Sequence, residues 1–275
     1  MATPGLHQVE MRLLIEGVFQ MYGHDFRDYS EASLHRRLNK WLAESRYSTF
    51  SQAQGAILRD PAVFHSLLTG LTVNVTEMFR DPTAFRALRE LVAPHLHTYP
   101  FLKVWVAGCA SGEEAYSMAI LLEEEGFKDR YRIYATDVDP EVLEQAKAGI
   151  YPLKELQHFT QNYQKAGGRA SFSDYYTARF DRAMLEPRLR EHIVFASHNL
   201  AVDAGFGEMH LALCRNVLIY FKPVLKTRVL SLLDTSIAPG GFLCLGLKEG
   251  LETTEWQRSY EEIAARTRIY RKRYA

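Results

Sequence analysis

Two short stretches hold the residues best suited to chemistry: "GCASGEE" at 108–114 and "CRNVLIYF" at 214–221. The first follows a strand-like run in "VWVAGCASGEEAYSMAI", where Gly108 and Gly112 let the backbone approach a ligand and turn into a helix. A dinucleotide cradle would need G-x-G-x-x-G, but position 110 is Ala, and Glu113 and Glu114 follow Gly112 at once. Two carboxylates would repel a pyrophosphate. They suit a cofactor that is cationic and phosphate-free, and S-adenosylmethionine, with its sulfonium, ammonium and adenosine, has that character. The plainer alternative is that both acids simply favour a helix N-terminus. Asp137 ends the next strand-like run, "YRIYATDVD", 25 residues after Gly112. That is close to the offset at which an acid holds the two ribose hydroxyls of an adenosine cofactor.

The second stretch offers Arg215, Asn216 and Tyr220, without an N-P-P-Y motif and without an obvious histidine base. An Arg fork matches a carboxylate. An exposed carboxylate is already ionised at neutral pH, so it needs positioning and loss of water rather than a general base. The pattern points to methyl transfer onto a carboxylate, giving an ester. The competing reading pairs Arg215 with an acid of the sheet. In "SHNLA", Asn199 beside Leu200 could bracket an adenine ring, although an Asx-turn explains such an Asn equally well. "LTVNVTEMFRDP" (71–82) reads as an amphipathic linker carrying Asn74, Thr76 and Arg80.

These residues need elements to hold them. "LKVWVAGCA", "YRIYATDVD", "HIVFASHNL", "EMHLALCRN" and "GFLCLGLKE" are strand-like, and helical stretches lie between them, the longest being "PVLKTRVLSLLDTSIAPGG". The alternation predicts a mostly parallel sheet with helices on both faces, and every candidate above outside the linker falls at a carboxyl end of a strand, where such sheets bind ligands. Residues 151–190 are polar, aromatic and irregular, and read as an insertion beside the mouth of the sheet. Residues 6–70 read as a helical bundle, with Gly23 as a C-terminal cap, Ser30 as an N-cap and Pro61 in a first helical turn.

The chain of 275 residues carries 33 Lys+Arg against 33 Asp+Glu. This balance argues against a protein that coats nucleic acid. Cys109, Cys214 and Cys244 show no C-x-x-C spacing and read as buried thiols of a reducing compartment, not metal ligands. Neither a signal-peptide h-region nor a membrane-spanning apolar run is visible, so a cytoplasmic location is expected.

Taken together, "TVNVTEMFR", "ASGEEAYSMA", "ATDVDPEVLEQAKAGIY", "SHNL" and "CRNVLIYF" resemble, in order and over nearly the whole chain, the CheR-type chemoreceptor glutamate methyltransferases. The resemblance implies an α/β Rossmann-like methyltransferase domain with a small inserted β-subdomain, preceded by a small all-helical domain. The expected division is 1–72 helical, 73–90 linker and 91–275 methyltransferase, with 151–190 inserted. The implied reaction moves a methyl group from S-adenosylmethionine to Glu side chains on a chemoreceptor's cytoplasmic helical bundle, leaving S-adenosylhomocysteine. Asn74, Thr76, Arg80, Gly108, Glu114, Asp137, Asn199, Leu200, Arg215 and Asn216 become expected cofactor contacts. Arg80, Arg215 and Tyr220 become expected reaction-site residues, with Arg215 and Tyr220 orienting the acceptor Glu. In "SLHRRLNKWL", His35, Arg36, Arg37 and Lys40 form a local basic stretch expected to dock on an acidic receptor bundle. A monomer is expected, without nucleic acid or membrane insertion.

Departures from the family pattern are Ala115 for Pro, His210 for Asp, and Leu247-Lys248-Glu249 for His-Ser-Glu. The insertion also lacks the glycine-rich loop that receives a receptor's C-terminal pentapeptide, so tethering by that peptide is not expected. A non-catalytic module that binds S-adenosylmethionine or its product, and a small-molecule methyltransferase roofed by 151–190, remain the rival readings.

Overall fold

The computed structural model describes residues 5–72, 76–205, 207–251, 254–264 and 266–274. The chain divides into two compact units. The first comprises the N-terminal residues through 72 together with 199–204 and 220–231. Its N-terminal part is four helices: α1 (Leu6–Tyr22), α2 (Glu31–Glu44), α3 (Phe50–Ile57) and α4 (Pro61–Leu71). Gly23 takes φ 73° and closes α1 by donating to Phe19 O. Thr49 and Asp60 cap α3 and α4 with their side chains, and Pro61 occupies the first turn of α4. Ser30 stands at the N-cap of α2 but makes no side-chain cap bond. The bundle closes on a core that includes Leu14, Leu38, Trp41, Phe50 and Leu67.

The second unit holds a seven-stranded sheet in the order β6-β2-β1-β7-β8-β10-β9. Its strands are β1 (Leu102–Ala107), β2 (Tyr131–Asp137), β6 (Ile193–Ser197), β7 (Met209–Cys214), β8 (Ile237–Leu245), β9 (Tyr260–Ala264) and β10 (Ile269–Lys272). The first five pair in parallel, while β10 runs antiparallel to both β8 and β9. Val104, Trp105 and Val106 are successive residues of β1 that point to alternate faces, yet each is 0% exposed. Both faces of the central sheet are therefore covered, as a parallel strand requires. Around the strands lie α5 (Pro82–Ala87), α6 (Ala93–Leu96), α7 (Glu113–Glu124), α8 (Pro140–Ala148), α9 (Leu156–Lys165), α10 (Pro187–Arg190) and α12 (Thr254–Ser259), while α11 (Pro223–Ser236) lies for the most part in the first unit.

Three features differ from the sequence reading. The stretch "IAPGG" belongs to β8 and not to the preceding helix. Pro239 and two glycines cannot continue a helix, and the irregular β7–β8 register between Met209 and Leu211 absorbs them. β9 and β10 were hidden because their charged sequence, "YEEIAARTRIYRKR", lacks the apolar runs of the parallel strands. The insertion is more regular than its sequence suggests. Around α9 it forms a second sheet from β3 (Ile150–Pro152), β4 (Tyr176–Arg179) and β5 (Arg182–Leu185), antiparallel in the order β3-β5-β4.

His210 has a structural place at the amino end of β7. Its Nδ1 accepts from the Lys103 backbone N–H at 2.9 Å, adding one bond before the Val104–Leu211 pair, and its ring lies 4.1 Å from that of Tyr99. Burial holds its pKa below the usual histidine value, keeping the neutral ring that an accepting Nδ1 requires. His210→Ala should cost about 1 kcal/mol by leaving this N–H unpaired. Thermal unfolding should therefore fall by roughly 2–4 °C, while S-adenosylhomocysteine affinity by calorimetry stays unchanged, because the candidate site lies at the other end of the strand.

Candidate active site

The chain order reverses between β1 and β7: β2 and β6 lie to one side of β1, and β7 and β8 to the other. Open parallel sheets form ligand crevices at such a point. The turn after β1 meets the loop after β7 there. Gly108 takes φ 76°, and a Cβ on it would stand 2.6 Å from Val217 Cγ2. Gly112 takes φ 95°, and its Cβ would stand 2.8 Å from that of Ala146 on α8. These two glycines thus serve close packing of the turn. Ala110, standing where a dinucleotide cradle has glycine, adopts φ 46° nonetheless. That strain is offset by a bond from its N–H to Asp137 Oδ2 at 2.9 Å.

Asp137 ends β2 with both carboxylate oxygens engaged by the backbone, Oδ2 by Ala110 and Oδ1 by the Asp139 N–H at 3.1 Å. Each oxygen retains acceptor capacity for a ligand. Burial raises its pKa, and the N–H of Asp139 opposes that shift.

Arg215 follows β7 with its side chain 1% exposed. Its guanidinium donates to Glu114 Oε2 at 2.5 Å, Asp81 Oδ2 at 3.0 Å and Arg80 O at 2.8 Å. The competing reading paired Arg215 with an acid of the sheet; the acids it meets come instead from α7 and from the segment before α5. With three partners on a buried fork, Arg215 holds the groups around it in place. Burial pushes the Glu114 carboxyl up and Arg215 opposes the shift. Sequence reasoning missed Asp81. It sits at the N-cap of α5 in the left-handed region, φ 54°, without capping the helix, because its carboxylate goes to Arg215. The adjacency of Arg80 and Asp81 in "FRDP" was the available signal.

Glu249 was also missed. It is the residue retained where the family's His-Ser is replaced by Leu247-Lys248. Its carboxylate accepts from the N–H groups of Asn216 (2.8 Å), Gly246 (2.7 Å) and Ile219 (3.2 Å), clamping the loops after β7 and β8 together. Asn216, at φ 60°, is left with a buried Oδ1 that has no partner among the described residues.

Thr76 and Arg80 belong to this same unit, and both are half-buried. Asn74 lies outside the described residues. Asn199, Leu200 and Tyr220 belong to the first unit. There Asn199 forms the Asx-turn, its Oδ1 accepting from Ala201 N–H at 3.0 Å and its own N–H donating to Asp203 at 2.7 Å. Leu200 is buried. The Tyr220 ring lies under the Arg37 guanidinium at 4.5 Å. The basic stretch on α2 is therefore divided. Arg36 and Lys40 are exposed and His35 is half-buried, whereas Arg37 turns inward onto Tyr220 and the Leu71 carbonyl. Lys40 makes only a loose pair with Glu44 at 3.8 Å.

The donor set fits S-adenosylmethionine better than a nucleotide phosphate. Glu114, Asp137 and the orphaned Asn216 Oδ1 are acceptors or anions, matched to an ammonium, a sulfonium and ribose hydroxyls. The buried Arg215 is already neutralised by two acids. Among the described residues no His, Cys, Asp and Glu cluster has the arrangement of a metal site.

Glu113 is 4% exposed, makes no ion pair among the described residues, and accepts from Ser111 Oγ at 2.8 and 3.1 Å. Burial raises its pKa to about 7. The folded chain then holds a proton between roughly pH 4.5 and 7 that the unfolded chain has released, so ionising Glu113 weakens folding as pH rises through that window. The limit set by the shift is roughly 3 kcal/mol. Glu113→Gln should flatten this part of the stability curve, gaining on the wild type from pH 5 to pH 8 in denaturant melts. Parallel curves for the two proteins would show that Glu113 ionises normally.

Residues 10–72 match the family model described as CheR methyltransferase, all-alpha domain, and residues 74–267 the one described as CheR methyltransferase, SAM binding domain. The chain is 47% identical to "Putative methyltransferase Cher3" of Pseudomonas putida over 96% of its own length and 97% of that relative's. It is 29% identical to "Chemotaxis protein methyltransferase" of Listeria monocytogenes, covering 82% of this chain and 84% of the relative. A likeness of 29% also links it to "Chemotaxis protein methyltransferase 2" of Pseudomonas aeruginosa, over 85% of this chain and 84% of the relative. With the fold, the acidic turn and both family models in agreement, the chain belongs to the CheR methyltransferase family and is an S-adenosylmethionine-dependent methyltransferase.

Proposed function

We propose that the protein methylates glutamate side chains on the cytoplasmic helical bundle of chemoreceptors, forming methyl esters for sensory adaptation. The observation that carries this reading is the buried Arg215–Glu114–Asp81 cluster beside a turn whose acids suit a cationic cofactor. When bound, S-adenosylmethionine supplies an electrophilic methyl group. Asp137 holds the ribose hydroxyls with its spare acceptor capacity, and Glu114, fixed by Arg215, faces the cofactor's positive end. Thr76, Gly108, Asn216 and, from the resemblance, Asn74, Asn199 and Leu200 complete its contacts. From the resemblance, Arg80, Arg215 and Tyr220 are its reaction-site residues. A glutamate acceptor arrives ionised and brings its own lone pair, so no side chain has to remove a proton.

Arg36 and Lys40 are the exposed cations of α2 and meet an acidic receptor surface. The relatives named as chemotaxis methyltransferases support a receptor as substrate. Docking proceeds without the receptor's C-terminal pentapeptide, since the hairpin between β4 and β5 turns through Phe180 and Asp181 and has no glycine-rich loop. The enzyme acts in the cytoplasm as a monomer.

A receptor cytoplasmic fragment incubated with methyl-labelled cofactor should gain label that mild base releases as methanol, equally with or without its C-terminal tail. Base-stable label would point to N-methylation, and cofactor binding without transfer would point to a regulatory module. Asp137→Ala should weaken S-adenosylhomocysteine binding by more than about 50-fold, from loss of two charge-assisted bonds of roughly 1.5–3 kcal/mol each. Unchanged affinity in calorimetry would remove Asp137 from the ribose site.

A further inference from the structure

The cofactor turn is held from more sides than the assigned contacts explain. Asp137 holds it through Ala110. A second hold comes from the inserted sheet: the Tyr151 hydroxyl donates to the Ser111 carbonyl at 2.8 Å. A third comes from Glu113, which accepts the Ser111 hydroxyl on both carboxylate oxygens. Ser111 is thus gripped by backbone and side chain at once, one residue before Gly112.

Neither grip belongs to the ion cluster around Arg215. Tyr151 is 5% exposed and sits in β3, where it pairs with Ala183 of β5. The residue before β3 is fixed too. Gly149 takes φ 62°, and a Cβ there would stand 2.8 Å from the Tyr116 hydroxyl. That hydroxyl donates to Ala146 O at 2.8 Å, and Ala146 is the residue against which Gly112 packs. The path from the inserted sheet to the turn is therefore closed on itself, through Tyr151 and Ser111 on one side and Tyr116, Ala146 and Gly112 on the other. A buried carboxyl that has no cationic partner among the described residues, and is engaged by Ser111 and by its own backbone N–H, has a cost that a merely structural turn does not require.

We propose that Tyr151 and Glu113 are positioning residues which set the shape of the cofactor turn through Ser111, so that the inserted sheet contributes to cofactor affinity. This rests on the reading of 108–114 as the cofactor turn. The charged or titratable groups facing Glu113 are Glu155 after β3, Tyr151 in β3 and Cys109 in the turn. None of them supplies a counter-charge. Burial keeps the Tyr151 phenol protonated, so it remains a donor.

The test is S-adenosylhomocysteine binding by calorimetry on the full chain, with thermal melts and hydrogen exchange of the 108–114 peptide alongside. Tyr151→Phe removes one hydroxyl and should weaken binding about three- to ten-fold, the scale of one hydrogen bond, while speeding exchange in the turn. Glu113→Ala should weaken it similarly. Glu113→Gln keeps an acceptor for Ser111 and should restore affinity to within about two-fold, a rescue that a change in general stability would not produce. The double variant Tyr151→Phe with Glu113→Ala should lose less than the product of the single losses, because both act on one residue. Binding within two-fold of the wild type by Tyr151→Phe or by Glu113→Ala, or losses that multiply independently, would overturn the proposal. Absence of binding by the wild type would instead overturn the cofactor reading beneath it.

Discussion

Arg215 is the constraint around which the second unit is arranged. A guanidinium with 1% of its side chain exposed loses its hydration, and a buried charge of this kind persists only when paired and hydrogen-bonded. Glu114 comes from the helix after the turn and Asp81 from the segment before α5, 134 positions earlier in the chain than Arg215. One cation thereby fastens the segment before α5, the turn after β1 and the end of β7 together. Phe79 and Asp81 accept left-handed backbone, φ 53° and 54°, to reach it. Two carboxylates against one guanidinium leave the cluster acidic, and this is the side of the crevice that a cationic cofactor needs.

The helix that begins at the turn carries acids at both ends, and only one end favours them. At the N-terminus of α7, Glu113 and Glu114 lie with the helix dipole. At its C-terminal end Glu124 and Glu125 lie against it. The structure compensates with cations and phenols. Arg89 pairs with Glu124 and Glu125, Arg169 with Glu125 at 2.9 Å, and Glu124 also accepts from Tyr163, from Tyr175 at 2.9 Å and from the Arg169 N–H at 3.1 Å. Burial alone would raise the Glu124 pKa, but the Tyr163 and Arg89 contacts hold it below the usual range. Tyr163 lies on α9, and Arg169 and Tyr175 lie between α9 and β4, all within the insertion. The insertion is thus anchored at the far end of the same helix whose near end forms the cofactor turn.

The parallel strands and the acidic turn were legible because each depends on local pattern: apolar runs, a glycine spacing, an acid at a fixed offset. What was hidden depends on partners distant in sequence. The commitment of Arg215 is invisible without Asp81 and Glu114 in space. Arg37 looks like one of four docking cations, yet tertiary packing turns it onto Tyr220 while Arg36 and Lys40 stay exposed. Glu249 looked like the remnant of an altered motif and proves to be the part that clamps two loops. His210 looked like a departure near the active strand, but it lies at that strand's opposite end. In the insertion, strands too short and polar to show alternation formed because Tyr151, Phe159 and Tyr163 bury against the main core.

A site built to hold a methylating cofactor also has to protect its own nucleophiles. Three thiols lie close to this one: Cys109 within the turn, Cys214 at the end of β7 and Cys244 in β8. All are buried, at 1%, 0% and 0% exposure. Thiolate, not thiol, is the reactive form. Burial raises all three pKa values, that of Cys244 to about 12, and neighbouring acids push the same way: Asp137 on Cys109, Glu249 and Glu114 on Cys214. The acids that suit a sulfonium therefore also hold the nearby sulfurs neutral. The glutamate acceptor proposed above would need no such activation, since a carboxylate is charged before it arrives. Ester formation between an anion and a cationic cofactor destroys charge, and a water-poor crevice favours that outcome. The same burial that silences the thiols thus suits a carboxylate substrate.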